Sequence, residues 1–253
     1  MAQFFENLYT QFLMWFDDVK ADFILNFIEK DRWKLFLTGF KNTVLITIFA
    51  LILGVVIGIV VAGIRSSYDK NKDSMRGVGK VVMAILNFIC KVYLTVLRGT
   101  PVVVQLLIMY LIIMVNVREA LYVAIVTFGI NSGAYVAEII RGGIESIDQG
   151  QMEAGRSLGF SYIKTMIYIV IPQAFKNVLP SLLNEFIALL KETSVAGYVG
   201  IRDLTKAGSL VQGQTFSAFM PLILVAIVYL SMVMLLSWLL GKLERRLRKS
   251  DHR

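Results

Sequence analysis

Long windows without charge alternate with short windows crowded with Lys and Arg along this 253-residue chain. The clearest charge-free window, 44–64, would reach about 31 Å as a helix, enough to cross the hydrocarbon core of a membrane. Apolar windows at about 100–115, 120–140, 165–190 and 219–240 predict four more spans. Because backbone polar groups in lipid must be paired within their own segment, and no alternating barrel pattern is present, we expect an all-α integral membrane protein.

Prolines and polar residues predict where these helices bend or change direction. Three polar residues interrupt the stretch 81–98, which we interpret as a slanted or interfacial helix that leads into the second span. Pro172 removes a backbone hydrogen bond, so the fourth span is expected as two helical pieces with a bend. The Gly-rich and lightly charged stretch 193–217 is expected to be an outer loop.

Small residues repeat every four positions along one face of the first span: Ala50, Gly54, Gly58 and Ala62. Residues of this size at this spacing allow two helix backbones to approach closely. The pattern is compatible with a partner helix in the same chain and with a second copy of the chain. We favour packing within one chain.

The placement of basic residues predicts which side of the membrane each end occupies. Residues 65–80 carry five Lys or Arg and two Asp, whereas the first 43 residues carry five basic and six acidic residues. Because cytoplasmic loops are enriched in Lys and Arg, we expect the N-terminus outside and the C-terminus in the cytoplasm of a bacterial cell. Six basic residues in the last twelve positions agree with this orientation: Lys242, Arg245, Arg246, Arg248, Lys249 and Arg253.

The net charge of +8 is therefore assigned to topology and to contact with membrane lipid, and not to nucleic acid. Aromatic and acidic residues alternate near the N-terminus, so residues 1–35 are expected to form an amphipathic segment at the membrane interface. Residues 36–248 are expected to form the transmembrane domain, with a cytoplasmic loop at 141–165. Residues 249–253 would form a basic tail.

The composition offers no set of residues for chemistry of its own. The chain is 57% hydrophobic and 17% charged, where a soluble domain carries about a quarter charged residues. It holds one cysteine, Cys90, and one histidine, His252, so neither an internal disulfide nor a metal cluster is expected. Gly79–Lys80 lacks the preceding glycine and the following Ser or Thr of a phosphate-binding loop. We therefore expect a chain that is not itself an enzyme and holds no cofactor or metal.

The sharpest motif lies in the polar stretch between the third and fourth spans. It reads Glu153-Ala154-Gly155, three residues, Gly159, nine residues, and then Ile169-Val170-Ile171-Pro172. This resembles the EAA loop, E-A-A-x3-G-x9-I-x-L-P, of binding-protein-dependent ABC importer permeases, with a glycine for the second alanine and an isoleucine for the leucine. A short helix here, turned at Gly159, would fit a groove on another protein.

Three further segments extend the resemblance to the histidine, glutamine and arginine branch of these permeases. They are similar to R-G-T-P-x-x-x-Q, N-S-G-A-Y-x-x-E-x-x-R-G-G and L-L-K-D-T-S, and they begin at Arg98, Asn131 and Leu189. The four motifs stand in the family's order, and the similarity covers about 36–248. It implies a type I importer fold with four coupling residues: Glu153, Ala154, Gly155 and Gly159.

The resemblance also implies partners. The coupling residues would contact a separate ABC subunit that binds ATP, so ATP is not a cofactor of this chain. An extracellular or periplasmic amino-acid-binding protein would deliver the substrate. A second permease, identical or similar, would complete the membrane part.

Polar residues at membrane depth are the candidates for a substrate path, because ionisable groups there are costly and by default face a cavity or a partner. Glu185 is the best candidate, since it is inferred to be deepest and has no adjacent cation. The family more often has a neutral amide at this position, so the carboxylate favours a cationic substrate. The other candidates are Asn131, Ser132, Tyr135, Glu138, Asn184, Lys191 and Glu192.

Some of these candidates have a second interpretation. Glu138 lies three residues before Arg141 and could simply pair with it. Lys191 and Glu192 lie near the outer end of the fourth span and could be interface residues whose charged heads reach water.

Together these features predict the permease subunit of an ATP-driven importer of a polar or cationic amino acid, which works by alternating access. The alternative is a subunit of an ion-coupled secondary transporter. That class usually shows more spans, often with an internal repeat, and the loop motif argues against it.

Overall fold

A computed structural model describes residues 2–73 and 75–251 of the chain, with the side chains of 9–11, 13–73 and 75–246. The described part is almost entirely helical, which confirms the all-α prediction. Its α-helices are α1 Ala2–Phe23, α2 Trp33–Asn71, α3 Gly77–Gly99, α4 Val102–Ile108, α5 Ala120–Glu145, α6 Gln149–Ser157, α7 Tyr162–Thr165, α8 Ile171–Glu192, α9 Leu204–Thr215 and α10 Phe219–Asp251.

Five helical segments of the described ranges are long and apolar enough to cross a membrane, which confirms the expected number. They are Trp33–Asn71, Gly77–Gly99, Ala120–Glu145, Tyr162–Val199 and Phe219–Arg246. The first has the most apolar window, with a mean hydropathy of 3.2, and contains the charge-free stretch of the sequence.

The predicted second span at 100–115 corresponds to α4 and the turn that follows it, and the slanted helix predicted before it corresponds to α3. By length and composition α3 could cross a membrane, but Arg98 near its end shares Glu138 with Arg65 at the end of the first span, so the two helix ends lie close together. The backbone leaves helical geometry directly after α3, with ψ of 146° at Thr100 and 134° at Pro101. Beyond the break, α4 and the π-helical turn Met109–Ile113 end at Ile113. This short apolar stretch extends about 18 Å at helical rise, too little to cross the hydrocarbon core alone.

Helices α2 and α5 form the most extensive helix pair of the described chain. A Cβ atom on Gly54 would lie 3.1 Å from the backbone nitrogen of Gly133, and one on Gly58 would lie 2.5 Å from Cγ1 of Val136. Ala50 and Ala62, on the same face of α2, are also buried. The small-residue stripe therefore packs against α5 of the same chain, as predicted.

The fourth span is continuously helical, since α7, the π-helical turn Met166–Val170 and α8 follow one another without a break. A division into two pieces is therefore not observed, and the effect of the proline is limited to the π-helical turn directly before Pro172. Pro172 stands in the first turn of α8, where a missing N–H costs least. Pro180 is accommodated inside α8 without ending it.

The stretch 193–217 was predicted to be an outer loop, but most of it is helical. A 3-10 helix, Thr193–Val199, ends at Gly200 with a left-handed φ of 81°, and α9 follows. Asp203 caps α9 by accepting a hydrogen bond from the backbone N–H of Thr205 at 2.9 Å. The buried face of α9 packs against α2 and α10, so this segment is part of the folded core.

The N-terminal segment is joined to the α9–α10 turn by polar contacts. Thr215 donates a hydrogen bond to the side-chain oxygen of Asn26 at 2.9 Å. The buried guanidinium of Arg32 donates to the carbonyl of Leu25 and to Gln214. The membrane-interface role of residues 1–35 stays a prediction.

At the other end, α10 continues to Asp251. The side chains at 248, 249 and 253, which belong to the predicted basic tail, lie outside the described set, as does His252.

Candidate functional site

The polar residues of α5 face two different neighbours. Asn131 points to the junction of α3 and α4, where its amide donates to Gln105 at 2.9 Å and to the carbonyl of Leu97 at 3.2 Å. Ser132, the next residue, faces α8 and donates to Glu185 at 2.8 Å. Neighbouring helix positions point about 100° apart, so the candidates do not form a single polar surface opposite α8.

Gln105 and Asn131 stabilise the break between α3 and α4. Pro101 has no N–H to donate to the carbonyl of Leu97, four residues earlier. Gln105 donates to that carbonyl at 2.8 Å and also lies 3.0 Å from the carbonyl of Thr100. Because an unpaired carbonyl in lipid costs several kcal/mol, these amides hold the break together. The glutamine four residues after the proline was visible in the sequence, but its role at the helix break was not predicted.

Glu185 is the candidate whose carboxylate joins α8 to α5. It is partly buried, and one of its oxygens accepts the Ser132 hydroxyl hydrogen bond. A carboxylate has about four acceptor positions, so Ser132 leaves room for a further donor. An ammonium or guanidinium group matches that acceptor by charge-assisted hydrogen bonds.

Glu138 is surrounded by arginines from three helices. Its oxygens lie 3.3 Å from Arg65 on α2, 3.4 Å from Arg98 on α3 and 3.4 Å from Arg141 on its own helix. The guanidinium of Arg98 also lies 5.6 Å from the ring centroid of Tyr135. The pairing with Arg141 was foreseen, but the contribution of Arg65 was not, because it comes from 73 residues earlier.

The remaining candidates lie on α8 toward its C-terminal end. Asn184 and Lys191 are exposed, and Glu192 is partly buried. None of the ion pairs found among the described side chains includes Lys191 or Glu192. The three residues are therefore accessible polar groups on the helix that carries Glu185.

The loop motif forms a short helix that is docked on one face and exposed on the other. Asp148 caps α6 by accepting a hydrogen bond from the N–H of Gly150 at 2.6 Å. Glu153 and Ala154 are exposed, whereas Gly155 is buried. Gly159 turns the chain after α6 with φ of 86°. The predicted short helix and its turn are confirmed.

The buried position of Gly155 explains why glycine replaces the second alanine of the family motif. A Cβ atom here would lie 2.5 Å from Cγ2 of Thr165 and 2.9 Å from Cδ1 of Ile169. The glycine therefore lets α6 lie directly against the start of the fourth span.

Exposed apolar side chains surround α6. Leu158 is 78% exposed, Phe160 is 41% exposed and Ile163 is 67% exposed. An apolar patch next to an exposed helix face is typical of a protein-binding surface.

Comparison with known families decides what this arrangement belongs to. Residues 77–249 match the family described as the binding-protein-dependent transport system inner membrane component. The chain belongs to this family. The matched region contains all four motifs. The chain is therefore a multi-pass protein of the bacterial inner membrane and the non-catalytic membrane component of a transport system.

Relatives of this permease family align over most of their length. A putative glutamine transport system permease of Rickettsia typhi is 35% identical over 83% of this chain and 91% of the relative. The arginine transport system permease of Bacillus subtilis is 33% identical over 85% and 93%. The glutamine transport system permease of Escherichia coli K12 is 35% identical over the same shares.

Solved structures of the family share the fold. An amino acid ABC transporter crystallised with histidines is 38% identical, with a TM-score of 0.74 over 84% of this chain and 94% of that chain. The inward-facing methionine ABC transporter is only 19% identical but reaches a TM-score of 0.72 over 87% and 99%. The latter shows the fold alone, and the type I importer fold is confirmed.

Proposed function

We propose that this chain is the permease subunit of an ATP-driven importer of amino acids. The observation that carries the proposal is the family match, with glutamine and arginine permeases aligned over more than nine-tenths of their length. The permease would form the substrate path with a second permease, identical or similar. An amino-acid-binding protein would deliver substrate on the outer side, where we place the N-terminus.

The exposed face of α6 is the surface through which the permease would be driven. Helix α6 is docked through Gly155 on the start of the fourth span, so a force on α6 is transmitted along this span to the helix that carries Glu185. A groove on an ABC ATPase would accept the helix, with Glu153 and Ala154 facing it. ATP would be bound and hydrolysed by that partner, and its motion would switch the path between outward and inward access.

Replacing Glu153 tests the coupling. In cells or proteoliposomes that contain the whole transporter, Glu153→Ala is expected to abolish ATP-dependent uptake and to leave membrane insertion intact. Glu145→Ala, an exposed glutamate that precedes α6, is the matched control and should transport normally. Unimpaired uptake by the Glu153 variant would refute the coupling role. Uptake that needs an ion gradient instead of ATP would favour a secondary transporter.

The Ser132–Glu185 contact supports a path for a cationic or polar amino acid. Glu185 would receive the ammonium or guanidinium group, with Ser132 holding the carboxylate in place at 2.8 Å. The accessible groups Asn184, Lys191 and Glu192 would line the same path, with Lys191 suited to the substrate carboxylate. Glu138, with its ion pairs, and Asn131, with its amide contacts, would support the path instead of lining it.

Glu185 is tested by comparing substrates. Glu185→Gln is expected to reduce arginine uptake about tenfold or more, because a charge-assisted contact contributes roughly 1.5–3 kcal/mol, and to affect glutamine uptake less. Glu185→Asp, which keeps the charge, serves as the control for the charge itself. Equal losses for both amino acids would leave the importer assignment standing but exclude a charge-selective role for Glu185.

A further inference from the structure

An open pocket of about 440 Å³ lies between α2, α3 and α5, apart from the Ser132–Glu185 contact. Three cationic side chains and one carboxylate line it: Arg65, Lys91, Arg98 and Glu138. Leu94, Thr95 and Gly99 complete the wall. The charged groups of the pocket therefore have an excess of positive charge.

The hydrogen-bond donors in this pocket exceed the acceptors. Glu138 is the shared ion-pair partner of Arg65, Arg98 and Arg141, with nitrogen–oxygen distances of 3.3 to 3.4 Å. The side chain of Arg65 is only 15% exposed, and its buried Nε atom has no hydrogen-bond partner among the described residues. Lys91 forms none of the ion pairs found in the described part of the chain.

Two other carboxylates that interact with Arg141 do not remove this excess. Glu145 pairs with Arg141 at 2.7 Å, is 54% exposed and is not part of the pocket wall. Asp69 interacts electrostatically with Arg141 and is not part of the wall. Both therefore compensate Arg141, while Arg65 and Arg98 still share Glu138 and Lys91 has no ion pair among the described side chains.

The pocket lies where the hydrocarbon core meets water. Arg65 is the first charge after the uncharged stretch 44–64 of α2, and Glu138 lies two turns before the end of α5. The pocket is thus at the end of the spans that carries α6. Nearby apolar side chains of α3 are exposed, with Phe88 at 66% and Val92 at 45%.

We propose that this pocket binds the phosphate group of an anionic membrane phospholipid, whose acyl chains lie along the exposed apolar face of α3. Guanidinium groups present paired N–H donors that match phosphate oxygens, and Lys91 adds a point charge. A basic pocket between transmembrane helices at the membrane surface is suited to an acidic headgroup. The site is separate from the proposed substrate contact and does not depend on which amino acid is carried.

The purified full-length chain in detergent micelles provides the test. Phosphatidylglycerol is titrated in, and the bound lipid is counted by native mass spectrometry. Phosphatidylcholine, a zwitterion without net charge, is the comparison lipid, and inorganic phosphate is the soluble source of the same chemistry. We expect one tightly held phosphatidylglycerol, little retained phosphatidylcholine, and no displacement by millimolar inorganic phosphate.

Single substitutions connect the bound lipid to this pocket. Lys91→Gln is expected to weaken phosphatidylglycerol binding about fivefold, since a basic residue near anionic lipid contributes about 1 kcal/mol. Arg98→Gln should weaken it at least as much. Lys80→Gln removes an exposed lysine of the same helix outside the pocket and should bind like the unchanged chain.

Three outcomes would overturn the proposal. Lys91→Gln could bind phosphatidylglycerol as tightly as Lys80→Gln, which would place the lipid elsewhere. Inorganic phosphate could displace the lipid, which would make this a site for soluble anions. Arginine or glutamine could displace it, which would make the pocket part of the substrate path. Because Lys91 has no ion pair to lose within the described part of the chain, its variant is expected to fold even if Arg98→Gln does not.

Discussion

At the scale of single residues, Glu138 shows how charges within the membrane part are compensated. Glu138 is 26% exposed and lies within 3.4 Å of guanidinium atoms from three helices. Its carboxylate thus compensates charges that would otherwise repel one another at the membrane boundary. This contact joins α2, α3 and α5 and is expected to contribute to stability.

Glu138→Gln is expected to lower the free energy of unfolding by about 2 kcal/mol, because removing one partner of a buried ion pair leaves uncompensated charge, here moderated by partial exposure. Glu145→Gln is the matched control on the same helix. Among the described side chains Glu145 pairs with Arg141 alone, so its loss should cost below about 1 kcal/mol. Thermal unfolding of the purified variants measures the difference, and equal melting temperatures would contradict it.

Asp203 is a second residue whose environment makes a measurable prediction. It is fully buried, and burial raises the pKa of its carboxyl above the ordinary value, while backbone hydrogen bonds from Thr205 and Lys206 act in the opposite direction. The folded state therefore binds more protons than the unfolded state between the ordinary pKa and the raised one. Stability from this group increases as the pH falls through the raised pKa, and the ionised form is unfavourable at neutral pH.

Asp203→Asn keeps a capping oxygen and removes the charge. We expect Asp203→Asn to melt a few degrees higher than the unchanged chain at pH 7. This difference in melting temperature should shrink as the pH is lowered toward the ordinary pKa of aspartate. Asp203→Ala removes the cap as well and should lose about 1 kcal/mol. A destabilised asparagine variant at pH 7 would show that the charge itself is needed.

At the scale of elements, the contact of α6 with the fourth span joins the exposed loop to the membrane part. Gly155 permits the approach, since a Cβ atom would lie 2.5 Å from Thr165. The family motif has alanine here, so this permease has closer packing between α6 and the fourth span than the motif alone would suggest.

Gly155→Ala is expected to weaken the docking of α6 by about 1–3 kcal/mol through overpacking. Transport driven by ATP should fall more than overall stability, because the contact transmits the force. Gly142→Ala is the control, since a Cβ atom there meets nothing within 4 Å in α5. Normal coupling in the Gly155 variant would show that α6 can shift without loss.

At the scale of the whole molecule, the orientation of the five spans is the prediction still to be measured. In a Cys90→Ala background, Ala218→Cys should react with a membrane-impermeant maleimide in intact cells, because 193–217 and its flank are expected outside. Ser157→Cys on α6 should react only after the cells are permeabilised. Both positions are exposed, so the comparison is matched, and the reverse pattern would invert the topology.

The expectation of a loop at 193–217 was wrong and one contact was not foreseen, each for a physical reason. The pairing of Arg98 with Glu138 joins α3 to α5 and depends on tertiary packing, so the charges of α3 in the sequence could not reveal it. Helix α9 was taken for a loop because of its glycines, although its buried positions recur at helical spacing: Leu204, Ala207, Gly208 and Val211. The contact of Arg98 needed the tertiary structure, but the error at α9 could have been avoided.

The sequence by itself determined the helical spans, their number and the docking helix of the loop motif. These follow from hydropathy, small-residue spacing and turn residues, which act over one or two helical turns. Only the tertiary structure decided what each polar side chain faces. Asn131 and Ser132 are adjacent in sequence yet meet different helices, and Arg65 reaches Glu138 across 73 residues. Such contacts depend on how the helices are rotated and packed, which no local pattern encodes.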